Sequence, residues 1–296
     1  MKSKKLAILL SMVMVLSVGC QKKTADGSEE KAKTNTEEKQ SEKKQATDVQ
    51  VFAAASLNSS IEEIIKEYNK QEPDVKITVN ADSSGKLLTQ VQEGFKCDLF
   101  FSAADKQIEE LEKGKLLIDG TKKNVLNNKL ILITRKDSKT EVTGLKDISK
   151  AKSIAIAGDS VPAGAYTRKA MENLGMIKKA DEGKVVSTAD ISEAIGNKNI
   201  SEQGNVSEVL NAVLEGSSEV GTVYLSDIYG HEDEVKVIEE IDIKDTGKIN
   251  YPMALVKNEE ADENEVKGAK SFYDFLTSET ANKIFAKQGF DVEKSK

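Results

Sequence analysis

Histidine, cysteine and arginine are scarce in this chain of 296 residues, which has one His, two Cys and two Arg, at positions 135 and 168. Beyond residue 20 the only thiol is Cys97 and the only imidazole is His231. A transition-metal site built on these ligands therefore lacks partners. An internal disulfide is impossible there, so that part of the chain must be held by its core. A cysteine-histidine enzyme remains open on counting alone. His231, however, stands in the polar run Tyr-Gly-His-Glu-Asp-Glu with no evident third residue to orient it, so catalysis is not expected. Long apolar runs are also missing. The longest, Leu6 to Val18 with only serines as polar interruptions, falls short of the ~20 residues that span a bilayer. A positive charge excess is lacking too. Residues 1–48 hold ten of the 43 basic and seven of the 50 acidic side chains, which leaves the rest with a net charge of about −10 and makes nucleic acid an unexpected partner.

What is present begins with an export signal: Lys2, Lys4 and Lys5, the apolar run, then Gly19 and Cys20. Leu16-Ser17-Val18-Gly19-Cys20 resembles a bacterial lipobox, with Ser17 where an aliphatic residue is commoner. That resemblance implies lipidation of Cys20 after removal of the signal, and an extracytoplasmic protein anchored to the cell membrane. The alternative is a cysteine discarded with the signal. Residues 21–48 contain no Val, Ile, Leu, Met or aromatic side chain and cannot bury apolar area. They are expected to form a disordered polar tether of roughly 30 Å reach.

The remaining 248 residues suffice for two domains. Short apolar runs alternate with helical periodicity, as in a βαβα succession. Strands are expected at Val49–Ala55, Val75–Ala81, Asp98–Ser102, Lys129–Thr134, Ser153–Ala157, Val220–Leu225 and Tyr251–Val256. Helices are expected on Ile61, Ile64, Ile65 and Tyr68 with a Ser60/Glu63 capping box, on Leu87 and Val91, and on Ile108 and Leu111. Others should start at Pro162 and end at Gly175, run from Val206 to Gly216, and run from Phe272 to Phe285. The fold class is α/β, with residues 49–130 and 250–296 as one domain, 131–249 as the other, and two chain crossings between them.

Five segments then occur in series: Ala53-Ala54-Ala55-Ser56-Leu57, Ser83-Ser84-Gly85, Gly158 to Gly164 (GDSVPAG), Gly221 to Asp227 (GTVYLSD), and Tyr251-Pro252. Together they resemble the periplasmic molybdate-binding proteins over nearly all of residues 49–296. The resemblance implies a type II periplasmic-binding-protein-like body, each domain a mixed, mostly parallel sheet flanked by helices, with the ligand in the interdomain cleft. By the same resemblance Ser56 and Ser84 hydrogen-bond the oxyanion, Ala163 and Val206 offer backbone N–H groups, and Tyr224 offers its hydroxyl. The stretch Thr188–Asn205 is longer than the family implies, so the Val206 position is the least fixed of the five. Molybdenum or tungsten would be held through these residues only as the bound oxyanion. No cofactor is implied. The partners implied are the oxyanion, an ABC permease with its ATPase, and the membrane through the N-terminal lipid, with the protein acting as a monomer.

The residues read by themselves are compatible with this. Ser56 and Ser84 each follow a strand and precede a helix, Ala163 lies in a first turn and Val206 opens a helix. Helix starts carry unpaired N–H groups and partial positive charge, which suit anions. Each serine could instead simply cap its helix, and Asp159 could be a turn residue or an acceptor for a protonated oxyanion. No Lys or Arg falls inside the five segments, which fits a dianion held by neutral donors. Sulfate or another tetrahedral oxyanion is the alternative ligand. A cysteine-dependent hydrolase and a lipoprotein adhesin or sensor on the same body are the alternatives of other classes.

Overall fold

In a computed structural model, residues 47–181 and 184–293 are described. The export signal, Cys20 and the tether up to residue 46 lie outside the described residues. Strand β1 (Thr47–Ala54) starts two residues earlier than expected. Thr47 and Asp48, assigned above to the tether, pair with Val75 and Lys76. Asp48 can join the sheet because its carboxylate accepts from Thr78 at 2.7 Å and pairs with Lys76 at 3.1 Å.

The chain continues through α1 (Asn58–Tyr68), β2 (Val75–Asp82), α2 (Ser84–Gln92), β3 (Leu99–Phe101), α3 (Asp105–Lys113) and β4 (Lys123–Asn128). A second group follows: β5 (Leu130–Arg135), β6 (Ser153–Ala157), α4 (Pro162–Asn173), α5 (Thr188–Ala194), β7 (Asn199–Gln203), α6 (Val206–Leu214), β8 (Val220–Tyr224) and β9 (Val235–Glu240). Then come α7 (Ile243–Thr246), β10 (Ile249–Leu255), α8 (Glu263–Phe275), α9 (Glu279–Lys287) and β11 (Asp291–Val292).

Two sheets result, ordered β11-β4-β10-β3-β1-β2 and β7-β6-β8-β5-β9. The chain passes from the first to the second between Asn128 and Leu130 and returns between Glu240 and Ile249. Both sheets are mixed. Parallel pairing holds among β1, β2 and β3 and among β6, β7 and β8. The crossing strands β5 and β10 run antiparallel to both their neighbours. Parallel pairs therefore do not predominate, because a strand that arrives from the other sheet needs no same-sheet helical crossover and is free to run either way.

Three local expectations are corrected. The Ser60/Glu63 capping box is not formed. Helix α1 starts at Asn58 without a side-chain cap, and Ser60, buried in its first turn, donates to Gln288 Oε1 at 2.7 Å. The helix expected from Phe272 to Phe285 is two helices, broken where Ser278 caps α9 by accepting from Ala281 N–H at 3.2 Å. Strand β8 ends at Tyr224, after which Leu225–Ile228 form a 3-10 turn. Gly175 and Gly216 do stop their helices, at φ of 71° and 75°, a conformation that a Cβ disfavours.

Candidate functional site

Ser56, Ser84, Ala163, Val206 and Tyr224 all line one small cavity, together with Ala54, Asp82, Ala103 and Pro162. All five are buried. The cavity lies beyond the carboxyl ends of β1, β2, β6 and β8, where an open α/β sheet offers its ligand site. Its volume is about 10 Å³, room for about one water molecule and far below the roughly 300–1,000 Å³ of an organic-ligand cleft. Wider hollows exist, and one of about 540 Å³ between Ile177 and Ala194 contains none of the five residues.

Neither serine caps a helix. Ser83, one residue earlier, caps α2 by accepting from Lys86 N–H at 3.3 Å. Ser84 Oγ accepts the Ala103 N–H at 3.1 Å, which leaves its hydroxyl hydrogen for another acceptor. Ser56 sits in the 3-10 turn Ala55–Leu57 and shares a 2.9 Å hydrogen bond with Tyr251 OH. Ala163 follows Pro162 in the first turn of α4, where no intrahelical acceptor exists and Val161 supplies no side-chain cap. At α6 the Asn205 side chain accepts from Glu208 N–H at 3.0 Å, so Val206 N–H at the first helical position lies outside the cap. The Tyr224 hydroxyl is buried and has no hydrogen-bond partner among the described residues. Burial also pushes this phenol well above its usual value of 10, so it remains a neutral donor.

Donors from both sheets meet here because the halves touch closely. A Cβ on Gly85 would stand 2.2 Å from the Ser160 carbonyl oxygen in the other half. Asn205 Nδ2 reaches Asp82 Oδ1 at 3.4 Å across the same boundary. Asp82 is a wall residue that sequence reasoning passed over. Its carboxylate also takes Ser83 N–H at 2.8 Å and Lys86 Nζ at 2.8 Å. That lysine offsets its charge beside the cavity.

The remaining candidates fall elsewhere. Asp159 lines a separate hollow with Asp105, Tyr166 and Lys169. Arg168 is buried but turns its guanidinium onto the carbonyls of Ala157 and Gly164 at 2.9 and 3.1 Å, tying α4 to the end of β6. Cys97 is buried, and burial, aided by the adjacent Asp98 carboxylate, raises its thiol far above the range of a nucleophile. His231 binds Glu234 at 2.7 Å in a turn before β9. Among the described residues no group of three or more His, Cys, Asp or Glu side chains could hold a metal ion, and no helix is long and apolar enough to cross a membrane.

Comparison with known proteins gives the same direction. A chain named as an ABC transporter substrate-binding lipoprotein, YvgL of Bacillus subtilis, is 31% identical over 244 residues, 82% of this chain and 86% of that one. The molybdate-binding protein ModA of Haemophilus influenzae is 28% identical over 83% of this chain and 90% of its own length. A solved structure from Clostridium difficile, described as the substrate-binding domain of a molybdenum ABC transporter, is 36% identical with a TM-score of 0.60, covering 83% of this chain and 99% of that one. Residues 49–291 match the bacterial extracellular solute-binding proteins, and the chain belongs to that family: it is a binding protein rather than an enzyme.

Proposed function

We propose that this protein captures molybdate, or the nearly equal-sized tungstate, outside the cytoplasm and delivers it to the permease and ATPase of an ABC importer. One observation carries the reading. Two serine hydroxyls, two helix-start N–H groups and a buried phenol without a partner among the described residues converge on a single small cavity. Such donors suit a dianion without a paired cation, because the dipoles are fixed by the fold and the charge lies at helix N-termini. The names borne by the Haemophilus and Clostridium relatives point to the same ligand. The reading calls for no cofactor, and the metal enters only inside the oxyanion.

In this reading residues 49–130 with 250–296 and residues 131–249 act as two domains that close on the ion about the two chain crossings. Cys20 carries the lipid, and one monomer takes one ion. Size then sets selectivity. Donors spaced for molybdate leave the smaller sulfate with long hydrogen bonds, and each buried group left unpaired costs about 1–3 kcal/mol. Calorimetric titration with molybdate, tungstate, sulfate and phosphate tests this. Molybdate and tungstate should bind within about tenfold of each other and sulfate more than a hundredfold weaker, the equivalent of two such deficits at about 1.4 kcal/mol per factor of ten. Sulfate binding equal to molybdate overturns the ligand assignment.

A further inference from the structure

Behind Ser56 stands a chain of hydrogen bonds whose direction can be worked out from one end. Asn128, the last residue of β4, accepts the Lys129 N–H on Oδ1 at 2.8 Å. That bond fixes the amide orientation, so Nδ2 is the end facing Ser226 Oγ at 2.9 Å and Tyr251 OH at 3.2 Å. Nδ2 has two hydrogens and no accepting capacity. The Tyr251 oxygen therefore accepts from Asn128, and its own hydrogen must go elsewhere. Tyr251 is fully buried, and the other partner of its hydroxyl is Ser56 Oγ at 2.9 Å. If Ser56 donated to Tyr251 instead, the phenol hydrogen would be buried without an acceptor, an arrangement folded proteins avoid. Tyr251 thus donates to Ser56, and the serine hydrogen is left to point away from Tyr251, where Ser56 borders the cavity.

We propose that Tyr251, held by Asn128, is a positioning residue that turns the Ser56 hydroxyl into an oriented donor to the bound oxyanion. The inference rests on the oxyanion reading above. Burial, the largest influence, pushes the Tyr251 phenol well above its usual value, so the relay keeps its proton through the neutral range. The placement ties this orientation to the crossing between the sheets. Asn128 precedes the crossing, Ser226 lies in the 3-10 turn after β8, and the Tyr251 ring packs edge-on against Tyr224 at 5.8 Å and Phe290 at 5.3 Å. Ser84 is arranged alike, its oxygen taking the Ala103 N–H. Both serines thus have an oxygen engaged by protein donors and a hydrogen to offer, a polarity that favours a fully deprotonated anion over one carrying a proton.

A double-mutant cycle on the full chain tests the relay, with molybdate as the probe in calorimetry. Tyr251→Phe keeps the ring packing and the Asn128–Ser226 bond. It should weaken molybdate about tenfold, the low end of the loss when an orienting partner of an ion ligand is removed. In the Ser56→Ala background the same change should alter affinity less than about twofold, because no hydroxyl remains to be oriented. A loss of equal size in both backgrounds, or none in either, overturns the relay while the ligand reading stands. A wild-type protein that binds no molybdate overturns the ligand reading and the relay with it. Thermal melts without ligand identify any variant that has lost its fold, and there Asn128→Ala, which removes the amide but spares the phenol, serves as the second variant: it should lower affinity only where Ser56 is present, and equal losses with and without Ser56 overturn the relay.

Discussion

Tyr224 holds a phenol hydroxyl in the interior with no group among the described residues to receive its hydrogen, and such a group costs about 1–3 kcal/mol when left unpaired. A ligand oxygen would supply the missing acceptor. Tyr224→Phe should therefore weaken molybdate by ~1.5–3 kcal/mol, the range for a hydrogen bond to a charged group. The ligand-free melting temperature should stay level or rise, because the unpaired hydroxyl is gone. Calorimetry and thermal melts check both, and a falling apo stability with unchanged affinity would contradict this role. Asp227, three residues on, adds a pH dependence. It keeps some exposed surface, but its carboxyl is enclosed, and burial pushes it up to about 7 although it accepts the Tyr224 N–H at 2.7 Å. The folded state thus holds this proton more tightly than an unfolded carboxyl of 3.8. Its stability contribution is greatest at low pH and declines as pH rises through about 7. Ionisation also sets a negative charge beside Tyr224. Molybdate affinity should fall from about pH 6 to about 8.5, and Asp227→Asn should flatten the slope while its amide oxygen still accepts from Tyr224. A slope that persists in the variant removes Asp227 from the account.

Among the elements, two glycines separate closure from folding. At Gly85 in α2 an added Cβ would meet Ser160 in the other half at 2.2 Å, whereas at Gly164 in α4 it would meet Gly158 O at 2.0 Å and Ala157 O at 2.3 Å within its own half. Gly85→Ala should lower affinity at least about tenfold, roughly 1.4 kcal/mol, with little change in the ligand-free melt, since the halves can part. Gly164→Ala should lower stability by ~1–3 kcal/mol, the usual cost of overpacking. Equal melts for the two variants would contradict the distinction. The strand ends and helix starts that carry these glycines were legible because periodicity changes sharply there: Val75 to Asp82 into Ser83-Ser84-Gly85, and Ile154 to Ala157 into Pro162. Strands β4, β7 and β9 were not legible. Their sequences, Lys-Asn-Val-Leu-Asn-Asn, Asn-Ile-Ser-Glu-Gln and Val-Lys-Val-Ile-Glu-Glu, are rich in polar side chains, and β7 and β9 are sheet edges. Edge strands leave half of their backbone groups unpaired in the sheet and often carry charged side chains. The merged reading of α8 and α9 had another cause. Phe272 and Leu276 belong to the end of one helix and Ala281, Ile284 and Phe285 to the next, and their spacing continues across the Ser278 cap. At the site, short motifs named the five wall residues, but Asp82, Asn128 and the work of Tyr251 depend on contacts 98 to 195 positions apart in sequence, which no local pattern encodes.

At the scale of the whole molecule, a body with a net charge of about −10 binding a dianion is not a contradiction. Exposed charges beyond about 8 Å are largely screened at physiological salt, and the cavity is lined by fixed dipoles. The lipid proposed on Cys20 is a separate matter from binding. Cys20→Ser should release the protein from membranes with its affinity unchanged, as membrane fractionation and titration would show, and retention in the membrane fraction would remove the lipid from the account. The central claim is that Ser56, Ser84, Ala163, Val206 and Tyr224 together hold one tetrahedral oxyanion between the two halves. Anomalous diffraction at the molybdenum edge, on crystals grown with molybdate, measures this directly. The account predicts one anomalous peak per chain, in the cavity, with oxyanion oxygens within hydrogen-bond distance of Ser56 Oγ, Ser84 Oγ, Ala163 N, Val206 N and Tyr224 OH. A peak elsewhere on the chain, or none at saturating molybdate, would contradict it.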